Sequence, residues 1–154
     1  MPTFNYSFIV NAPKAAVRDF HHGTSVLKTL MPPPLFVQLH KFEPLADGSK
    51  ADFTIWFGPF PTRWVSVHSE VNDSGFTDTQ VVGPLKGWKH RHEFVSVSNE
   101  LTEVRESIEY EYNDGIKGLI NRLMYSRAAL ILLFTARKMI TRNHINRNTR
   151  RKNV

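Results

Sequence analysis

Apolar and polar residues alternate over residues 3–10, with Phe4, Tyr6, Phe8 and Val10 on one face, which predicts a strand. Asn11, Ala12 and Pro13 end it, and Pro13 suits the first turn of a helix. Two short helices are predicted, Ala15–Phe20 and Ser25–Met31, separated at His22-Gly23 and closed by Pro32-Pro33-Pro34. From Leu35 to Tyr112 the period is that of strands. Phe53, Ile55 and Phe57 alternate with Asp52, Thr54 and Trp56. Arg63–Val71, Phe76–Val82, Gly87–Val97 and Leu101–Tyr112 follow, joined by short turns rich in Gly, Pro, Asn and Ser. That spacing predicts an antiparallel meander. A helical pattern then runs from about Ile116 to about Ile140. Within it, Ala128–Phe134 is apolar on every side. Such a helix must be covered twice, by the sheet and by the small helices, a ligand or the second subunit of a homodimer.

The predicted class is therefore α+β, with one strand, two small helices, six strands and a long helix. The natural way to bury that helix is a curved antiparallel sheet of about seven strands wrapped around it. The length, 154 residues, allows one domain, placed at residues 1–143 and followed by a basic, frayed tail at 144–154. Cysteine is absent, which excludes disulfides, Cys-ligated metals and thiol catalysis. No leader-like segment opens the chain, and no apolar stretch approaches the roughly 20 residues of a membrane span. The chain reads as soluble and cytoplasmic.

Charge divides the molecule. Residues 1–114 hold 10 Lys/Arg and all 14 Asp/Glu, whereas residues 115–154 hold 10 Lys/Arg and no acid. A basic C-terminal arm of this kind attracts an anionic membrane surface, giving a peripheral association. No base-reading motif accompanies it, so no specific nucleic-acid partner is expected.

The last three strands carry the chemistry. In Gly87–Val97, Lys89, Arg91 and Glu93 share one face, and Trp88, His90, His92 and Phe94 share the other, which marks the second as buried. In Leu101–Tyr112 the inward set is Val104, Glu106, Ile108, Tyr110 and Tyr112, and in Phe76–Val82 it is Phe76, Asp78, Gln80 and Val82. Five polar side chains, Asp78, Gln80, His90, His92 and Glu106, thus lie on an apolar face. Tight turns would place Asp78 and Glu106 near His92, and Gln80 near His90, to within a two-residue slip. Three roles remain open: a satisfied buried network, a set that orients a ligand, or acid–base chemistry by His92 with Asp78 or Glu106. An imidazole between two carboxylates is driven toward its protonated form. His90-x-His92 has a metal-ligand spacing but no evident third ligand, so neither metal nor cofactor is expected. His21-His22 reads as a helix end, and His40 and His68 as lone strand residues.

Phe76-Thr-Asp78-Thr-Gln80-Val-Val-Gly83-Pro84-Leu85, Trp88-Lys-His90-Arg-His92-Glu-Phe94 and Glu106-Ser-Ile108-Glu-Tyr110 resemble the motifs of a bacterial ligand-binding subgroup of the START-like (SRPBCC) superfamily. That superfamily has the helix-grip fold and includes pollen-allergen proteins, polyketide cyclases and coenzyme Q-binding START proteins. The likeness covers about residues 3–143. It departs from the subgroup at Glu106, usually Asp, and at Asn113, often Pro. It implies a cavity between sheet and long helix for a hydrophobic small molecule such as a lipid, isoprenoid quinone or polyketide. Phe53, Phe57, Trp88, Phe94 and Tyr110 would line it, and the polar cluster would sit at its floor. Binding or carriage is the function implied first. A cyclase, dehydratase or hydrolase activity is the alternative.

Overall fold

The computed structural model describes residues 1–153. Strand β1 (Thr3–Val10) is followed by helices α1 (Lys14–His22) and α2 (Val26–Leu30). Strands β2 (Leu35–Phe42), β3 (Lys50–Phe57), β4 (Phe60–Asn72), β5 (Gly75–Val82), β6 (Gly87–Ser98) and β7 (Leu101–Glu111) come next, then helices α3 (Gly115–Met124) and α4 (Arg127–Lys152). The strands form one antiparallel sheet in the order β1-β7-β6-β5-β4-β3-β2. Five of the six neighbour pairs join strands consecutive in sequence, as short turns require; only β1 crosses over to pair with β7. The α+β architecture expected from the pattern is the one observed.

Alternation decides which face is covered. On β6, Trp88, His90, His92 and Phe94 are buried while Lys89 and Arg91 are exposed, and on β7 Val104, Glu106, Ile108 and Tyr110 are buried. Two apolar clusters fill the space under the helices. One joins Phe53, Trp64, Trp88, Tyr110, Leu130 and Phe134. The other joins Phe8, Val17, Phe76, Phe94, Val104 and Ile145 at the opposite end. Phe94 is thus a core residue under α1, its ring 4.8 Å from that of His21, rather than part of a ligand lining.

The long C-terminal helix is two helices. Ser126 caps α4, its Oγ accepting the Ala129 N–H at 3.2 Å, and the chain bends by 42° between α3 and α4. The break turns the Tyr125 ring toward Trp64 and Trp88, with ring centroids 6.5 and 6.1 Å away. Among the described residues no single helix is long and apolar enough to cross a membrane; only α3 and α4 taken together, across their bend, have that length and composition.

The far end also departs from expectation. The segment read as a frayed tail continues α4 through Lys152, and Thr141 and Ile145 are buried. They fall on the face of Leu130 and Phe134 by the helical period, which the dense basic residues around them conceal in the sequence. Of the apolar run Ala128–Phe134, Leu130 and Phe134 enter the core, whereas Leu132 lies on the outside.

Phe57 does not face the interior. It ends β3 beside the Gly58 turn, opposite Phe60, and is 49% exposed because the hairpin extends past the rim of the core. Val82 also turns outward, because a register shift in the pairing of β4 with β5 breaks the alternation there.

Candidate functional site

Two histidines two residues apart on one strand must share a face, and β6 presents His90 and His92 to the interior in this way. Register supplies their partners. Glu106 on β7 lies opposite His92, as tight turns predict, but Asp78 on β5 lies opposite His90, with Phe76 opposite His92. The β5–β6 pairing is thus displaced by two residues from the expected one. Gly75 permits it: with φ of +151°, it brings β5 so close to β6 that a Cβ there would sit 1.9 Å from the His92 carbonyl oxygen.

The displaced register still unites four of the five predicted polar residues. His90 Nε2–H donates to Glu106 Oε2 at 2.8 Å, and His92 Nε2–H donates to Asp78 Oδ2 at 3.1 Å. His92 Nδ1 lies 2.8 Å from the same Glu106 oxygen, an ionic contact whose angle is out of line for a good hydrogen bond. His90 Nδ1 faces Asp78 Oδ2 at 3.6 Å. The imidazoles lie against each other with centroids 3.9 Å apart and planes tilted by 40°, and the Phe76 ring stacks on His92 at 4.3 Å. Gln80 stands apart. Its amide donates to the Leu85 carbonyl at 2.8 Å and braces the β5–β6 connection.

The electrostatics follow from enclosure and neighbours. Burial opposes a charge on His92, but Glu106 and Asp78 outweigh it and push its pKa up to about 9. Burial and the neighbouring His92 cation push His90 down, against the pull of Glu106. Burial would raise both carboxylates, yet the histidines hold Asp78 below and Glu106 well below their ordinary values. Arg137 on α4 completes the balance. Its guanidinium packs 5.2 Å from the centre of the Phe134 ring, its Nε is buried without a partner, and it feels both Glu106 and Asp78. Two carboxylates are thus paired with the His92 imidazolium, the Arg137 guanidinium adds a longer-range positive charge, and His90 is held neutral.

Sequence reasoning missed Arg137, because it sits in the stretch read only as a basic arm. The one available signal was its spacing, three residues after an inward Phe134. His21 was missed as well. It is buried beneath α1, its Nδ1–H donates to the Val17 carbonyl at 2.8 Å, and burial pushes it down to about 4. The other two lone histidines have partners: His40 Nε2 pairs with Thr54 Oγ1 at 2.7 Å and His68 Nδ1 with Ser49 Oγ at 2.9 Å.

His90-x-His92 also acquires the third ligand that the sequence did not reveal. One oxygen of Asp78 and one nitrogen of each histidine lie within 4.8 Å of one another, a set able to hold a divalent cation once His92 loses its proton. Glu106, against both imidazoles, would be the outer carboxylate that orients them.

The predicted chamber is closed in this structure. The Phe134 ring occupies its centre, 5.5 Å from the rings of Phe4 and His90 and 6.0 Å from Tyr6. Of the predicted apolar lining, Phe53, Trp88 and Tyr110 are together in the cluster with Tyr125, Leu130 and Phe134, with Trp64 stacked on Phe53 and edge-on to Trp88. Phe57 and Phe94 are not among them. A concavity of about 520 Å³ lies elsewhere, between α1, α2 and the last turns of α4.

The pH dependence of stability follows from this cluster. His92 is raised above its ordinary 6.5, so its contribution is complete below that value and is lost as pH rises through about 9. His21, Asp78 and Glu106 are lowered, so their contributions are lost as pH falls. Stability should peak near pH 6.5 and decline on the alkaline side by at most about 1.4 kcal/mol per pH unit for the single proton. Thermal melts across pH 6–10 check this. His92→Gln should flatten the alkaline limb, and an unchanged limb in that variant would show that His92 is not its source.

No protein-family model matches the chain, and no curated protein matches it in sequence. Solved structures do match it in shape. The Zhui aromatase/cyclase from Streptomyces sp. R1128 superposes with a TM-score of 0.74 at 13% identity, covering 96% of this chain and 95% of that one. Norcoclaurine synthase from Thalictrum flavum superposes at 0.68 with 15% identity, covering 93% and 95%. A nucleoside-diphosphate sugar epimerase from Corynebacterium glutamicum superposes at 0.73 with 19% identity, over 98% of this chain but 31% of the longer epimerase. Identity this low carries the fold and no more. The seven-stranded antiparallel sheet, the paired small helices and the long closing helix together form the α+β helix-grip fold, which the chain shares with these solved structures.

Proposed function

We propose that the protein binds an apolar small molecule bearing a carbonyl or hydroxyl oxygen between its sheet and α4, with His92 and Arg137 as hydrogen-bond donors to that oxygen. One observation carries the reading. His92 Nδ1 and Arg137 Nε are buried donors with no aligned acceptor, in a cluster that already holds two buried carboxylates. Buried donors are otherwise nearly always satisfied, and an unsatisfied pair next to fixed charge suits an oxygen acceptor. The aromatic wall of Phe53, Trp64, Trp88 and Tyr125 offers the apolar body its contact. The structural neighbours named as an aromatase/cyclase and a norcoclaurine synthase support a fold suited to such molecules. Since Phe134 fills the centre, occupancy requires that ring to move and the α3–α4 joint at Tyr125-Ser126 to open.

The same electrostatics narrow the enzymatic alternative. With its pKa near 9, His92 is a cation at neutral pH and would serve as a proton donor rather than a base. The test is binding in solution, read by tryptophan fluorescence and native mass spectrometry, with a panel of an isoprenoid quinone, a fatty acid and an aromatic polyketide. At least one member should quench the fluorescence saturably. His92→Gln should weaken its binding roughly 10- to 100-fold, as expected for a lost hydrogen bond from a charged donor. A silent panel, or affinity unchanged in His92→Gln, counts against the proposal.

A further inference from the structure

Ile116, Leu119, Ile120, Leu123 and Met124 recur at the spacing of one helical face, and this face of α3 points away from the protein, each residue being 46–82% exposed. The face turned inward carries Gly118 and Asn121 instead. Gly118 lies so close to the preceding loop that a Cβ would meet the Asn113 carbonyl oxygen at 1.9 Å, and Asn121 Oδ1 accepts the Asn113 side-chain N–H at 2.8 Å. α3 is therefore amphipathic in the inverse sense. Its small and polar face is docked, and its apolar face is offered outward.

We propose that this face of α3 inserts into an anionic lipid bilayer. Charge selects this occupant. By the helical period Lys117 and Arg122 flank the apolar stripe on its two sides, both exposed, and no acidic residue follows Asp114 in the chain. A second copy of the chain would bring the same cations against them, whereas anionic headgroups neutralise them. The neighbouring rim extends the surface. β7 ends, β4 begins and β3 ends along one edge of the antiparallel sheet, so the exposed Phe57 and Phe60 of the β3–β4 hairpin project from the end at which α3 departs. The last basic residues of the segment, Arg147–Lys152, lie at the other end of α4, roughly 39 Å from its start. Within the basic segment 115–154, the apolar anchor is thus α3 and not the last turns of α4. The docking stands on this surface alone and does not depend on a ligand inside.

Vesicle co-sedimentation of the full chain tests it, using phosphatidylcholine alone and phosphatidylcholine with about one-third phosphatidylglycerol. Wild type should partition at least about tenfold more strongly to the anionic vesicles. Leu119→Glu with Leu123→Glu should abolish this at an unchanged melting temperature, because both side chains are already in water. Lys117→Glu with Arg122→Glu should remove the preference for anionic lipid. Wild type left in the supernatant, unchanged sedimentation of the leucine variant, or a solution dimer that the leucine variant dissolves would each overturn the proposal. None of these outcomes bears on the fluorescence titration of the interior.

Discussion

Glu106→Gln is expected to destabilise the fold by about 3–5 kcal/mol, the range for removing one partner of a buried ion pair. The carboxylate is 6% exposed and serves two imidazoles, with one oxygen 2.8 Å from both His90 Nε2 and His92 Nδ1. The amide keeps the shape but leaves the His92 and Arg137 cations facing Asp78 alone. His92 can relieve the imbalance by losing its proton, which places the cost toward the lower end of the range. Its titration should then fall from about 9 toward the ordinary histidine value. Denaturant unfolding near pH 6.5, with the ring resonances of His92 followed by NMR, measures both quantities. Asp78→Asn should cost less, since the Asp78 side chain is 18% exposed and water can replace part of its role. A Glu106→Gln variant of nearly native stability, with His92 still titrating near 9, would mean that Asp78 alone holds the proton.

Phe134→Ala should cost a similar amount, about 3–5 kcal/mol, by a different mechanism. The ring is 1% exposed and touches Phe4, Tyr6, His90 and the Arg137 guanidinium, so its removal forfeits transfer energy and leaves a cavity. A dry space on the order of 100 Å³ should open beside the aromatic wall and accept xenon or benzene, as engineered apolar cavities do. The variant should also bind benzene more tightly than wild type, because the plug is gone. Denaturant melts and native mass spectrometry under xenon or with benzene read the two effects. A loss below about 1 kcal/mol would mean that α4 is not seated on the sheet through this ring.

The strands were legible because period-two patterning is local and strong. Trp88, His90, His92 and Phe94 alternate cleanly with charged residues, and the structure buries that set. The pairing of His92 with Glu106 was also legible, since the short turn between β6 and β7, here at Asn99-Glu100, leaves one register that puts the apolar sets of both strands on the same face. The Asp78 register was not. It depends on the length of the Gly83–Lys86 connection and on the close approach at Gly75, neither of which has a periodic signature. Phe57 illustrates the limit of alternation: the pattern assigns a face, but the distance from the rim of the core decides whether that face is covered.

The C-terminal third shows the same division. Its helical character and its excess of Lys and Arg were plain in the residue order. Its break at Ser126 was not, because one serine in an apolar stretch competes weakly with helix propensity until Trp64 and Trp88 receive Tyr125. The inverse orientation of α3 was equally hidden, for a helical stripe is the same whether it faces core or solvent.

Residue order alone determined the α+β class, the inward face of β6 and β7, and the presence of buried His, Asp and Glu on it, because these follow from side chains alternating along a strand. Only the folded chain decided that Arg137 joins the cluster, that Phe134 closes the interior and that α3 turns its apolar face outward. Those outcomes depend on where a helix lands on a sheet. Contacts between elements distant in sequence set that position, and no local pattern encodes them.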